Sequence, residues 1–250
     1  MQVTVLGTGA AVPDGDRYQA GLVVGAADRP DPLLIDCGAG TIHRLVQAGY
    51  DPAAIDTLLL THHHLDHVAD VPSLLKARLL RGDTGFTVLG PPGTEAYLSP
   101  LLSVDRLAER CEVAVRGLDG SPFSAAGRSI AACETEHSAT GFAYRVDDAF
   151  TFSGDTEASG RVAAFADGSD VLVHDCAYPD ESASNHATPA ALGRALAGVD
   201  VGRVYLTHLY PEAADAAEEM CRTVSEHAGV ETHVAEDLQV IEVPGGTEGR

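Results

Sequence analysis

The sequence predicts a layered α/β (α+β) domain. Short apolar, strand-like runs alternate with helical stretches along the whole chain, and turns rich in Gly, Pro and Asp separate them. No internal repeat or low-complexity segment interrupts the alternation. The 250 residues are 45% hydrophobic, enough for one sizeable core. No long linker divides the chain, so residues 1–250 read as a single domain.

The elements follow in order. Gln2 to Leu6, Gly21 to Val24 and Leu33 to Ile35 read as strands. A helix follows Gly40, with Ile42, Leu45 and Val46 at helical spacing, and Thr57 to Leu60 is a short buried strand. Asp66 to Arg81 has helical periodicity through Val68, Val71, Leu74, Leu75, Leu79 and Leu80. Phe86 to Leu89 reads as a strand, Gly93 to Leu102 as a helix, and several strands lie between Cys111 and Phe152. A short helix over Gly160 to Ala166, a strand over Val171 to His174 and a helix over Thr188 to Ala197 come next. Val204 to Leu206, a helix over Glu212 to His227, and a strand over Gln239 to Val243 close the chain.

Net charge is −21 and the acid excess is spread along the chain, with Lys76 the only lysine. Such a surface repels itself at low ionic strength and is screened by salt, so a halophilic cytoplasm is the expected setting. General affinity for nucleic acid, which needs basic surface, is disfavoured. The five cysteines form no CxxC pair and read as small buried residues, not as a disulfide framework or a zinc knuckle. No apolar run of transmembrane length occurs, and Met1 to Leu6 begins directly in β-like alternation without signal-peptide character. A cytoplasmic protein with no membrane partner is the expectation.

The strongest local signal is Thr61-His62-His63-His64-Leu65-Asp66-His67. A strand would throw His67 to the opposite side from His62, His64 and Asp66, and a helix would separate His62 from His64. The segment is therefore a loop wrapping imidazoles and a carboxylate around one point, a donor set that suits zinc, manganese or iron. Later strands end in the same way, with an apolar run, a small or hydroxyl residue, then a ligand-type side chain: His137 after Ile130 to Thr135, Asp155 after Phe150 to Gly154, His208 after Val204 to Thr207.

His62-x-His64-x-Asp66-His67, followed by His137, Asp155 and His208 in that order, resembles the metallo-β-lactamase superfamily over essentially the whole chain. The resemblance implies a four-layer αββα sandwich with two divalent metal ions, zinc first, at one edge. By it, His62, His64 and His137 bind one ion, Asp66, His67 and His208 the other, and Asp155 bridges both. Within the superfamily, Val5-Leu6-Gly7-Thr8-Gly9 with Pro13, Leu34-Ile35-Asp36-Cys37-Gly38 and Gly90-Pro91-Pro92-Gly93-Thr94 resemble the ribonuclease Z-like branch. So do His174-Asp175-Cys176-Ala177 and His186-Ala187-Thr188. The resemblance makes Asp66, Asp175 and His186 the catalytic candidates, with His186 protonating the leaving group and Asp175 holding its ring. It assigns Asp36 to orienting a ligand. A homodimer is implied in the same way.

The chain departs from that branch where it counts for substrate. Asp175 and Ala187 stand where glutamate and serine are usual. Asp155 follows His137 by only 18 positions, room for two strands and a turn but not for the long arm that grips tRNA. The expected function is thus a dinuclear metal-dependent phosphodiesterase, with water activated by the metals attacking phosphorus. A tRNA 3′-processing endonuclease acting on an RNA 3′ end and a thioester or acyl hydrolase are the alternatives, and a non-enzymatic binding module would be expected to have lost ligands. Arg78, sharing a helix face with Arg81, and Arg17, in the loop after the first strand, are the candidate substrate-phosphate contacts. His63 has no assigned part.

Overall fold

The computed structural model describes residues 1–26, 30–180 and 184–244. Its central strands are apolar on both faces because both faces are covered. In β1 (Gln2–Gly7), Val3 and Val5 point one way and Leu6 the other; in β2 (Gly21–Val24), Leu22 and Val24 oppose Val23. Leu33 and Ile35 oppose Leu34 in β3 (Leu33–Ile35), and Leu59 opposes Leu58 in β4 (Thr57–Leu59). With β5 (Gly85–Gly90), β6 (Glu112–Gly117) and the last strand, β14 (Val240–Glu242), these form a seven-stranded sheet in the order β14-β1-β2-β3-β4-β5-β6.

The second sheet contains β7 (Phe123–Ala125), β8 (Arg128–Glu134), β9 (Phe142–Val146), β10 (Phe150–Phe152), β11 (Val171–Asp175), β12 (Arg203–Thr207) and β13 (Thr232–Val234). Its order is β13-β12-β11-β10-β9-β8-β7. The two sheets pack face to face through Val3, Val5, Ile35 and Leu59 on one side and Tyr144, Phe150, Phe152, Val171 and Val173 on the other. Helices α1 (Thr41–Gln47), α2 (Val71–Arg81) and α3 (Thr94–Ser103) cover the outer face of the first sheet, burying Leu45, Leu74, Leu75 and Leu98 against Leu34, Leu58 and Val88. The short α4 (Leu107–Arg110) adds Leu107 to that cluster. On the second sheet, α5 (Gly160–Phe165), α6 (Pro189–Leu196) and α8 (Ala217–Ala228), preceded by α7 (Pro211–Asp215), pack Ala163, Leu192, Met220 and Val224 on Leu172, Val204 and Leu206. The result is the four-layer αββα arrangement.

Two helices differ from the periodic reading. The 66–81 stretch is split into a 3-10 turn, Leu65–His67, and α2. Pro72 sits in the first turn of α2, where its missing N–H costs nothing, and Asp70 turns its carboxylate away to accept from Gly40 N and Ile42 N at 2.9 and 3.1 Å. The 212–227 stretch is broken at Ala216 between α7 and α8. The short α4 and the partly exposed β13 carry too little apolar pattern to be read from sequence.

Strands β3 to β6 run parallel to one another, as do β10 to β13. Their C-terminal ends therefore gather at one edge of the sandwich. The His62–His67 loop leaves β4, Asp155 follows β10, Asp175 ends β11 and His208 follows β12. All five cysteines are free; Cys37, Cys111 and Cys176 are buried as expected, while Cys133 and Cys221 are half-buried. No helix among the described residues is long and apolar enough to cross a membrane.

Candidate metal centre

Asp155 is the centre of the site. Its carboxylate faces His62 Nε2 at 3.5 Å, His67 Nε2 at 3.3 Å, His208 Nε2 at 3.3 Å and His137 Nε2 at 3.8 Å. His64 Nδ1 lies 3.1 Å from His137 Nε2, and Asp66 Oδ2 lies 3.2 Å from His208 Nε2. The seven residues read as metal ligands are thus brought together. His62, His64, His137 and Asp155 converge within 4.8 Å, as do Asp66, His67 and His208.

Hydrogen bonds behind the ligands decide which ring nitrogen faces inward. The Thr61 hydroxyl donates to Asp36 Oδ2 (2.8 Å), so its lone pair is left to accept from His62 Nδ1 (3.0 Å). His67 Nδ1 donates to the same Asp36 oxygen at 2.8 Å, and His137 Nδ1 donates to the Asn185 carbonyl at 2.6 Å. In the neutral ring, each pairing puts the proton on Nδ1 and leaves the Nε2 lone pair free. His62 Nε2 and His67 Nε2 are buried without any hydrogen-bond partner. Unpartnered, lone-pair-bearing nitrogens turned toward a shared carboxylate fit divalent cations. Asp36, fully buried at a φ of 58°, also accepts Thr61 N at 2.8 Å and so fixes the start of the loop it supports.

The electrostatics agree with a site built for cations. Burial, then neighbouring imidazoles, lower His62 to about 2 despite Asp155. Burial opposes ionisation of Asp66, but the His208 hydrogen bond and the nearby imidazoles prevail and bring it to about 2. Asp155 is held well below the usual carboxylate range in the same way, against its burial, by His208, His67 and His62. Burial lowers His67 and His208, but Asp155, joined by Asp36 at His67 and by Asp66 at His208, outweighs it and both are raised, so the buried carboxylates draw positive charge into the pocket.

His186 stands at the rim, its ring centroid 4.9 Å from that of His137 and 5.1 Å from that of His208. Its Nδ1 meets Asp175 Oδ2 at 2.8 Å, the pairing expected from sequence. Burial lowers the His186 pKa, but the Asp175 hydrogen bond and charge outweigh it, and the net direction is upward. His63, which had no assigned part, stacks on Tyr97 at 4.9 Å and bonds Thr94 Oγ1 at 2.8 Å.

The Arg78 expectation needs correction. Arg78 is only 2% exposed and is no substrate contact. Its guanidinium donates to the carbonyls of Ala53, Ile55 and Gly85 and pairs with Asp56, tying α2 to the 3-10 turn Pro52–Ala54. The helical spacing to Arg81 is real, but Arg78 faces the protein. Arg17 is half-buried, and its Nη1 donates to Thr8 Oγ1 at 2.6 Å and to the Ala235 carbonyl at 2.9 Å. Sequence reasoning also missed Thr61, the Asn185 carbonyl, Tyr178 and Tyr210. Only the two tyrosines carried a signal, each lying three residues past a strand end.

A model of the Beta-lactamase superfamily domain matches residues 32–209, most of the chain and nearly all of the site. The chain belongs to the β-lactamase superfamily. Within it the chain is ribonuclease Z-like. Ribonuclease Z of Mycobacterium avium (strain 104) is 29% identical over 278 residues, spanning 97% of this chain and 98% of the relative. The metallo-β-lactamase fold protein YhfI from Bacillus subtilis superposes with a TM-score of 0.80 at 22% identity, covering 96% of this chain and 98% of that one. Human tRNase Z, short form, gives 0.75 at 22% identity, covering 98% and 100%. These structural likenesses show the fold. The 278 aligned positions exceed the 250 residues of this chain, so the mycobacterial relative has residues that this one lacks. Between His137 and Asp155, β9 and β10 form a tight antiparallel meander with β8, leaving no inserted arm.

Proposed function

We propose that the protein is a dinuclear metal-dependent phosphodiesterase. The observation that carries the reading is Asp155, placed between one group of three histidines and a second group of Asp66, His67 and His208. His62, His64 and His137 would hold one ion, Asp66, His67 and His208 the other, and Asp155 both. Zinc is the first choice, and the nitrogen and oxygen donors also accept manganese or iron. When bound, the two ions would supply an activated water and neutralise the phosphoryl oxygens.

The chain's own residues do the rest. Asp36 and Thr61 hold His62 and His67 in the tautomer that presents Nε2. Asp175 holds His186 through Nδ1 and favours its protonated form, leaving Nε2 to give a proton to the departing oxygen. The closed β8–β10 meander supports a small or nucleotide-like diester over a folded tRNA. The alternative, a tRNA 3′-processing endonuclease acting on an RNA 3′ end, is supported by the near full-length match to a protein named Ribonuclease Z. The setting we propose is a salt-rich cytoplasm, with the chain as a homodimer.

The test is cleavage of a 3′-extended precursor tRNA and of bis(p-nitrophenyl) phosphate by zinc- or manganese-loaded protein in molar KCl, with Asp155→Ala as control. Hydrolysis of the small diester alone, lost in the variant, supports the proposal. Cutting of the precursor at its 3′ end selects the endonuclease. Hydrolysis of neither by metal-replete protein rejects phosphodiester chemistry, and thioesters are tried next.

A further inference from the structure

Two half-buried tyrosines, Tyr178 and Tyr210, stand beside His186. Sheet register puts them together. Strands β11 and β12 are parallel neighbours with Asp175 opposite Thr207, and the pairing direction continues past the strand ends, where Tyr210 N donates to the Ala177 carbonyl at 3.3 Å. Three residues beyond each paired position comes a tyrosine. Their rings stack with centroids 4.7 Å apart at 15°. The stack stands across the imidazoles: Tyr178 meets His186 at 5.9 Å and 62°, and Tyr210 meets His186 at 6.2 Å and 70° and His208 at 6.3 Å and 75°.

This arrangement is more than is needed to support a strand end. Neither tyrosine is part of the three apolar cores; both are partly exposed at the rim of the metal centre, in a chain with no tryptophan and only seven tyrosines. A stacked pair is already ordered, so a third ring laid on it loses little more freedom and gains a π face that accepts any base. Its position beside His186 fixes which part of a substrate it meets. The proton donor faces the leaving oxygen, so the ring that the wall meets is the one next to that oxygen.

We infer that Tyr178 and Tyr210 form a stacking wall for a nucleobase on the leaving side of the scissile phosphate, so that the substrate is a nucleotide diester and not an alkyl or sugar diester. The inference rests on the phosphodiesterase reading for which side of the phosphate the base occupies. Recognition of the ring itself rests on the tyrosines.

The experiment is calorimetric binding of adenosine 5′-monophosphate and of ribose 5-phosphate to zinc-loaded protein in molar KCl. The two ligands share sugar and phosphate and differ in the base. The parent is expected to bind the adenosine ligand at least about tenfold more tightly, the range of one base–aromatic stack. Tyr178→Leu/Tyr210→Leu removes the difference while ribose 5-phosphate binding is unchanged, and Tyr178→Phe/Tyr210→Phe, which keeps both rings, retains it. Equal binding of the two ligands by the parent, or binding of neither, overturns the inference even if the leucine variant does not fold. So does a preference for the base that survives in a folded leucine variant. Hydrolysis of bis(p-nitrophenyl) phosphate is measured on the same protein. A base preference without hydrolysis defeats the phosphodiesterase reading alone, and hydrolysis without a base preference defeats this inference alone.

Discussion

At the scale of single residues, the proposed function would separate groups that hold cations from a group that moves a proton. His186 is 2.8 Å from Asp175 and also comes within 4.8 Å of Asp155 and His208, but His62, His64, His137, Asp66 and His67 converge without it, so its removal is expected to spare the ions. His186→Ala should lower turnover of a phosphodiester about 10²–10⁴-fold, the usual contribution of a general acid. Metal content by elemental analysis should stay at the parent value. A variant that loses metal together with activity would make His186 a ligand. Arg78 gives the opposite prediction. Its guanidinium satisfies the carbonyls of Ala53, Ile55 and Gly85, all far from His186 in sequence. Arg78→Met strands those acceptors and should cost about 2–4 kcal/mol of stability. Denaturant titration measures the cost, and the activity of the folded fraction should be unchanged.

At the scale of elements, the metal loop depends on how closely the end of β3 approaches it. Cys37 N donates to the His67 carbonyl at 2.7 Å, and Asp70 N donates to the Cys37 carbonyl at 3.0 Å, so the 3-10 turn carrying Asp66 and His67 lies directly on the Cys37–Gly38 backbone. A Cβ on Gly38 would collide with the Asp66 carbonyl and with Gln19. Gly38→Ala is therefore expected to displace the turn and weaken metal binding at least about tenfold, in the range seen when supporting residues of metal sites are lost. Competition with a chromogenic chelator reads this directly. Unchanged affinity would mean that the loop is held by Asp36 alone. The same contact explains why the helix read over 66–81 starts late: the first turn is given up so that Asp66 and His67 can reach the site.

For the whole molecule, charge dominates. A net charge of −21 on 250 residues, with 37 acidic and 16 basic side chains, stores repulsion that salt relieves. Screening length falls from about 10 Å at 0.1 M salt to about 3 Å at 1 M. The melting temperature should therefore rise steadily with KCl up to the molar range, as followed by circular dichroism. A melting temperature that is flat or falling with salt would reject adaptation to a salty interior.

Sequence alone picked out the residues that meet at the centre. His62, His64, Asp66 and His67 lie within six positions, His137, Asp155 and His208 each follow an apolar run, and their order along the chain carries the family resemblance that selected them together. It determined most elements too, because strands buried on both faces are almost uninterrupted apolar runs. Tertiary structure decided what spacing along the chain cannot encode. Arg78 and Arg81 share a helix face on paper, yet only packing against Pro52–Ala54 shows that Arg78 is consumed by backbone carbonyls. The supporting bonds from Asp36 to His67 and from Asn185 to His137 join residues 31 and 48 positions apart. Tyr178 and Tyr210 meet only because two parallel strands end in register. Local propensity acts over a few residues, whereas register and burial are set by sheet pairing between distant segments.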